Sequence, residues 1–188
     1  MYINRIILFI LIFCNGVLSL CCGRHPIYPD EWPEILAYPV NGCNNISGVY
    51  SDKYHESSLT HLIVFGGKGF GYDTSAENII RAATHVVIIQ SDRTIELRIM
   101  DVKKVLLEKT LILGKDAFCE DGLHVRTSSL ACQEGVIGYG EDNYNLLRGK
   151  DDSLIINHNS SGYGAYTCFP IIVPSDTSYY RFRKYTDN

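Results

Sequence analysis

The sequence predicts an all-β protein, an antiparallel meander forming a small β-barrel, whole or incomplete and lipocalin-like at most, with one short helix. A two-sheet β-sandwich is the alternative. Three observations carry this reading. Apolar or β-branched runs recur along the chain with turn residues between them at roughly ten-residue spacing, a pattern that must bury one face by curling or closing. Ile95, Leu97 and Ile99 alternate with Glu96, Arg98 and Met100, the period of two expected of a strand wet on one side. Residues 75–83 offer the only credible helix, with Ile79 and Ile80 apolar, Glu77 early and Arg81 late, as the helix dipole prefers.

Residues 1–20 read as a signal peptide. Arg5 precedes an apolar run from Ile6 to Cys14, and Asn15-Gly16-Val17-Leu18-Ser19-Leu20 leads to Cys21-Cys22. A membrane span would need roughly 18 or more apolar residues, so this layout points to secretion. Leu18-Ser19-Leu20-Cys21 resembles the box that ends bacterial lipoprotein signals and departs from it at Leu20, where Gly, Ala or Ser is usual. The expectation is lipid attachment at Cys21, with the membrane as partner on the periplasmic side of the cell envelope. Val17 and Ser19 also suit ordinary cleavage after Ser19, which would leave a soluble secreted or periplasmic form. Residues 21–42 read as an extended tether, because Pro26, Pro29, Pro33 and Pro39 recur too often for a helix. Tyr28, Trp32 and Tyr38 are placed to dock this arm on the body.

Residues 43–188 form a single β-domain. Asn44 and Asn45 supply turn residues before a strand at Val49-Tyr50, and Leu59 to Phe65 is a second apolar element. Thr84 to Gln90 has the length and branching of a buried strand. Val105 to Leu113 follows Asp101-Val102-Lys103-Lys104 and makes a hairpin with the Ile95–Ile99 segment. Further strands are expected at Leu123–Thr127, Tyr144–Arg148, Leu154–His158, Ala165–Phe169 and Tyr179–Arg183. Glu120-Asp121-Gly122, Gly149-Lys150-Asp151-Asp152 and Ser160-Ser161-Gly162 mark the turns.

The chain has 188 residues and a formal charge of −4, which becomes −5 once Arg5 leaves with the signal. A mildly acidic protein with no Lys/Arg cluster lacks the basic face that nucleic-acid phosphates demand. Of its seven cysteines, Cys43, Cys119, Cys132 and Cys168 lie in the exported body, where disulfides are permitted. Four cysteines allow three connectivities, which the spacing leaves open. No C-x-x-C or tight Cys/His cluster indicates a metal. Residues 66–71, rich in glycine, match neither nucleotide-binding spacing. The six histidines are scattered, no G-x-S-x-G frames a nucleophile, and neither an enzyme nor a cofactor is expected.

Cys43-Asn44-Asn45-Ile46-Ser47-Gly48-Val49-Tyr50 resembles the opening of the folded body in uncharacterised proteobacterial envelope lipoproteins, a C-x-x-I-S-G-x-Y motif followed by a run such as Ser58-Leu59-Thr60-His61-Leu62. The similarity continues at Phe118-Cys119-Glu120-Asp121-Gly122-Leu123, Gly138-Tyr139-Gly140, Asp151-Asp152-Ser153-Leu154-Ile155-Ile156 and Tyr179-Tyr180-Arg181-Phe182. It covers most of the mature chain and implies an exported, lipid-anchored β-domain of a group without assigned activity. It places Cys43 and Cys119 in paired motifs, and the expected disulfides are Cys43–Cys119 and Cys132–Cys168. Gly48-Val49-Tyr50 also resembles, over three residues, the G-x-W opening of lipocalins.

Three functional readings follow. The first is an envelope protein acting through its surface as a structural or interaction module. The second is a carrier of a small apolar ligand in a cavity lined by Ile88, Leu97, Ile99 and Leu111. The third is a hydrolase of envelope polymers, which needs paired carboxylates or a Ser/His pair to converge in space.

Overall fold

The computed structural model describes residues 27–37, 42–55, 57–64, 74–133, 136–166 and 169–186. Strands β1 (Gly48–Ser51), β4 (His85–Gln90), β5 (Thr94–Asp101) and β6 (Lys104–Ile112) form an antiparallel sheet in the order β1-β4-β5-β6. Between β1 and β4 lie a two-residue hairpin, β2 (Lys53–Tyr54) with β3 (Ser57–Ser58), a wide helical turn at Thr60–Val64, and the helix α1 (Thr74–Ala82). A second antiparallel sheet runs β11-β10-β9-β8-β7, from β7 (Ala117–Cys119), β8 (Leu123–Gln133), β9 (Val136–Arg148), β10 (Leu154–Tyr166) and β11 (Phe169–Phe182).

The two sheets meet at a seam. After β11 the chain bridges from Lys184 to Tyr50, with Ser51 N–H donating to Arg183 O (2.9 Å) and Tyr185 N–H to Val49 O (2.8 Å). The strands thus follow one another around a curl, from β6 through β1 to β11 and on to β7. The curl is not a closed barrel: among the described residues no ladder joins β6 to β7, which are linked by a tight turn in which Gly114 N–H donates to Ala117 O.

Alternation explains which residues fill the curl. Ile95, Leu97 and Ile99 are buried while Glu96 and Arg98 face water, as a strand with one dry face requires. They join Ile88 and Leu111 from the first sheet and Leu123, Val125, Leu146, Ile156 and Phe182 from the second in one continuous cluster. Ile79 of α1 packs against it, and Lys53 Nζ donates to Ile80 O to tie the helix down. Buried Asp52 organises the turn after β1, accepting from Ser58 Oγ and Thr60 N–H at 2.8 Å each.

Several sequence expectations are corrected. Residues 59–65 supply a helical turn over Thr60–Val64 because Asp52 gathers its backbone; Phe65 lies outside the described residues. The strands expected at Leu123–Thr127, Tyr144–Arg148, Leu154–His158 and Tyr179–Arg183 are only the core ends of β8 to β11, which run 11 to 14 residues each. Ser160-Ser161-Gly162 is not a turn. It lies inside β10, paired to β9 without a break and to β11 across a bulge, so two ladders override the local turn chemistry. Ala165–Phe169 is not one strand either, since β10 ends at Tyr166 and β11 starts at Phe169.

Tyr50 links packing to pH. Its ring is buried, its hydroxyl donates to Ile46 O at 2.9 Å, and burial pushes its pKa up to about 12 from 10.0. A phenol whose folded pKa lies above its unfolded value contributes stability that is present below pH 10 and lost as pH rises towards 12. The two-unit gap corresponds to about 3 kcal/mol. Denaturant titration from pH 9 to 12 should therefore show stability falling above pH 10, and Tyr50→Phe should flatten that fall.

Candidate functional site

The arm docks rather than trailing free over residues 27–37. Ile35 bridges to Gly149, Leu36 N–H donates to Arg148 O, and Lys150 N–H donates to Glu34 O, with an ion pair between the Lys150 and Glu34 side chains. The Tyr28 ring meets Tyr179 edge-on at 5.6 Å and Trp32 at 5.7 Å, and Trp32 meets Tyr54 at 5.8 Å. Tyr38 lies outside the described residues. Beneath the arm, the turn between β9 and β10 is held by charge. Arg148 pairs with Asp152 at 2.6 Å and Arg181 with Asp151 at 2.5 Å. Burial alone would raise the Asp151 carboxyl, but hydrogen bonds from Ser153 and Arg181 hold it below the usual carboxylate range.

Beyond the arm, the second sheet runs past the core. On its inner face the last row with buried members among the described side chains is Val125, Tyr144 and His158, and the next row is Thr127, Asp142, Ser160 and Asp176. His158 closes the core: its ring stacks on Tyr144 at 4.5 Å with planes 5° apart, and its Nε2 lies 2.9 Å from Asp142 Oδ1. His158 and Asp142 are 17% and 24% exposed, so this pair sits at the mouth of the curl.

The outer face of the same strands carries a grid of amides and hydroxyls. Register sets Asn145 opposite Asn157, and Asn143 opposite Asn159, with Arg126 and Thr177 flanking the second pair on β8 and β11. Thr177 Oγ1 donates to Asn159 Oδ1 at 2.6 Å, and Asn157 Nδ2 donates to the Tyr179 hydroxyl at 3.5 Å. The Oδ1 atoms of Asn143, Asn145 and Asn157 are themselves buried and have no hydrogen-bond partner among the described residues. One row further, Glu141 faces Ser161, and then Tyr139 faces Tyr163, whose rings lie 5.4 Å apart. Tyr163 is 65% exposed. Where β11 bulges, a depression of about 250 Å³ opens among Glu141, Asn143, Asn159, Ser160, Ser161 and Ser175.

Gly122 sets one corner of this grid. The turn into β8 puts Asp121 at φ 50° and Gly122 at φ 130°, and an added Cβ at Gly122 would collide with Asn145 Oδ1. Gly122→Ala should cost about 1 to 3 kcal/mol in urea unfolding, from strain of a kind that side chains adopt only under constraint. An unchanged midpoint would refute that account of the turn.

The structure joins Cys43 to Cys119, with Cα atoms 5.1 Å apart. Cys168, the side chain of Cys132, the proposed lipid site Cys21 and the glycine-rich residues 66–71 lie outside the described residues. Ile88, Leu97, Ile99 and Leu111 sit together in the packed cluster. Among the described residues no group of three or more His, Cys, Asp or Glu side chains is arranged to hold a metal ion, and no helix is long and apolar enough to cross a membrane. Sequence reasoning passed over the outer grid, although Asn143-x-Asn145 and Asn157-x-Asn159 carry the two-residue period of one strand face. It also separated Asp142 from His158, which only the register brings together. No family model matches the chain, and neither the curated proteins nor the solved structures contain a match.

Proposed function

We propose that this protein is an exported module, held at the cell envelope by lipid on Cys21, that works by presenting the outer face of β8 to β11 to another envelope component. One observation carries the reading. The four strands continue past the last buried row of described side chains, and Ser128, Asn159, Ser161 and Tyr163 there are exposed. From Arg126 to Gln133 the strand rise gives about 25 Å of sheet beyond the core. Ordering a sheet of that length costs conformational entropy, and none of the described side chains past Val125, Tyr144 and His158 belongs to the core cluster, so its retention fits a surface that is used.

Gentle crosslinking followed by pull-down from the membrane fraction should recover a repeatable envelope component with the wild-type protein and lose it with Ser161→Arg. Recovery unaffected by that substitution would reject the face as the working surface. Cys21→Ser should release the protein to the soluble fraction; a mature N-terminus at Leu20 without lipid would end the anchor proposal.

A further inference from the structure

We infer that the ligand of this face is an uncharged glycan chain lying along the strands of the second sheet, an inference that rests on the surface reading above. Charge on this face is sparse and of both signs. Between the Tyr139/Tyr163 pair and the Asn145/Asn157 pair, the outer face of β9 and β10 carries amides and hydroxyls with Glu141 as its one carboxylate, and Arg126, one row away on β8 and over the Phe118 ring, carries the opposite charge. Such a field attracts neither a polyanion nor a polycation.

The face is also rich in hydrogen-bonding amides. A carboxamide presents both donors and acceptors on one rigid plane, which suits sugar hydroxyls that themselves donate and accept. Asn143 and Asn159 oppose each other across a ladder and open onto the depression with Glu141 and Ser161. A protein partner would instead be expected to meet a dry centre rich in aromatic and apolar anchors, and here the centre of the face is polar.

One end of the face is aromatic. Tyr163 exposes most of its ring beside Tyr139, next to the polar rows. An exposed ring with an apolar face and a polar rim is a platform for the C–H face of a pyranose. Successive same-face rows along a strand are about 6.8 Å apart, so the rows from Tyr163 to Asn157 span about 20 Å. That length takes several sugar units, so a chain rather than a single sugar is the matching ligand.

The test uses the full mature protein and two neutral probes, hexamers of β-1,4-linked glucose and of β-1,4-linked N-acetylglucosamine, with a polyuronate and a sulfated polysaccharide as charged comparisons. At least one neutral hexamer should bind, with little dependence on salt. Tyr163→Ala and Asn159→Ala should each weaken binding by tenfold or more, Tyr163→Phe should retain most of it, and Lys103→Ala on the far hairpin should leave it unchanged. Failure of both neutral hexamers to bind folded protein, or binding confined to the charged polymers, would overturn the glycan proposal. If Ser161→Arg still abolished recovery of an envelope protein, the surface reading would survive that failure; if it did not, both would fall.

Discussion

Leu97→Ala is expected to cost roughly 2 to 5 kcal/mol, the range for emptying a packed aliphatic site. Leu97 is 1% exposed, at the centre of β5, between Ile88 on β4 and the aliphatic part of the curl. Its neighbour Arg98 points the other way, with its side chain 44% exposed and paired to Glu96 and Glu108 at 3.3 and 3.2 Å. Exposed pairs of that kind contribute little, and Arg98→Ala should cost under about 1 kcal/mol. Urea unfolding of both variants checks the contrast. Equal, large losses at the two positions would mean that β5 is buried on both faces, and the curl would have to be redrawn.

Removing the Cys43–Cys119 disulfide should be comparably costly. It ties the first residues of the body to β7, a three-residue edge strand, across a sequence separation of 76. In the chain-entropy treatment a loop of that length contributes about 4 to 5 kcal/mol by limiting the unfolded chain. The double variant Cys43→Ser, Cys119→Ser should therefore unfold at much lower denaturant, and wild-type protein should lose a similar amount on reduction. A loss below about 1 kcal/mol in both experiments would show that β7 is held by its ladder to β8 alone.

The parts of the fold legible in the sequence are those where one face is dry. The alternation of Ile95, Leu97 and Ile99, the hairpin to β6 and the helix over Thr74–Ala82 all follow from burial of one side. β9 and β10 were legible only at their core ends, because past Tyr144 and His158 both faces carry polar residues, tyrosine and glycine and the period of two disappears. Ser160-Ser161-Gly162 reads as a turn by composition, yet pairing on both sides keeps it extended. The amide grid and the Asp142–His158 pair depend on register across neighbouring strands. Register is a property of the ladder, not of either segment alone.

A photo-reactive residue placed at Ser161 and, separately, at Lys103 in cells carrying the full-length protein would show whether the outer face of β8 to β11 is the working surface. Both positions are exposed, and they lie on different sheets. A discrete, repeatable crosslinked product is expected from Ser161 and none from Lys103. Products of equal yield from both positions, or none from Ser161, would contradict it.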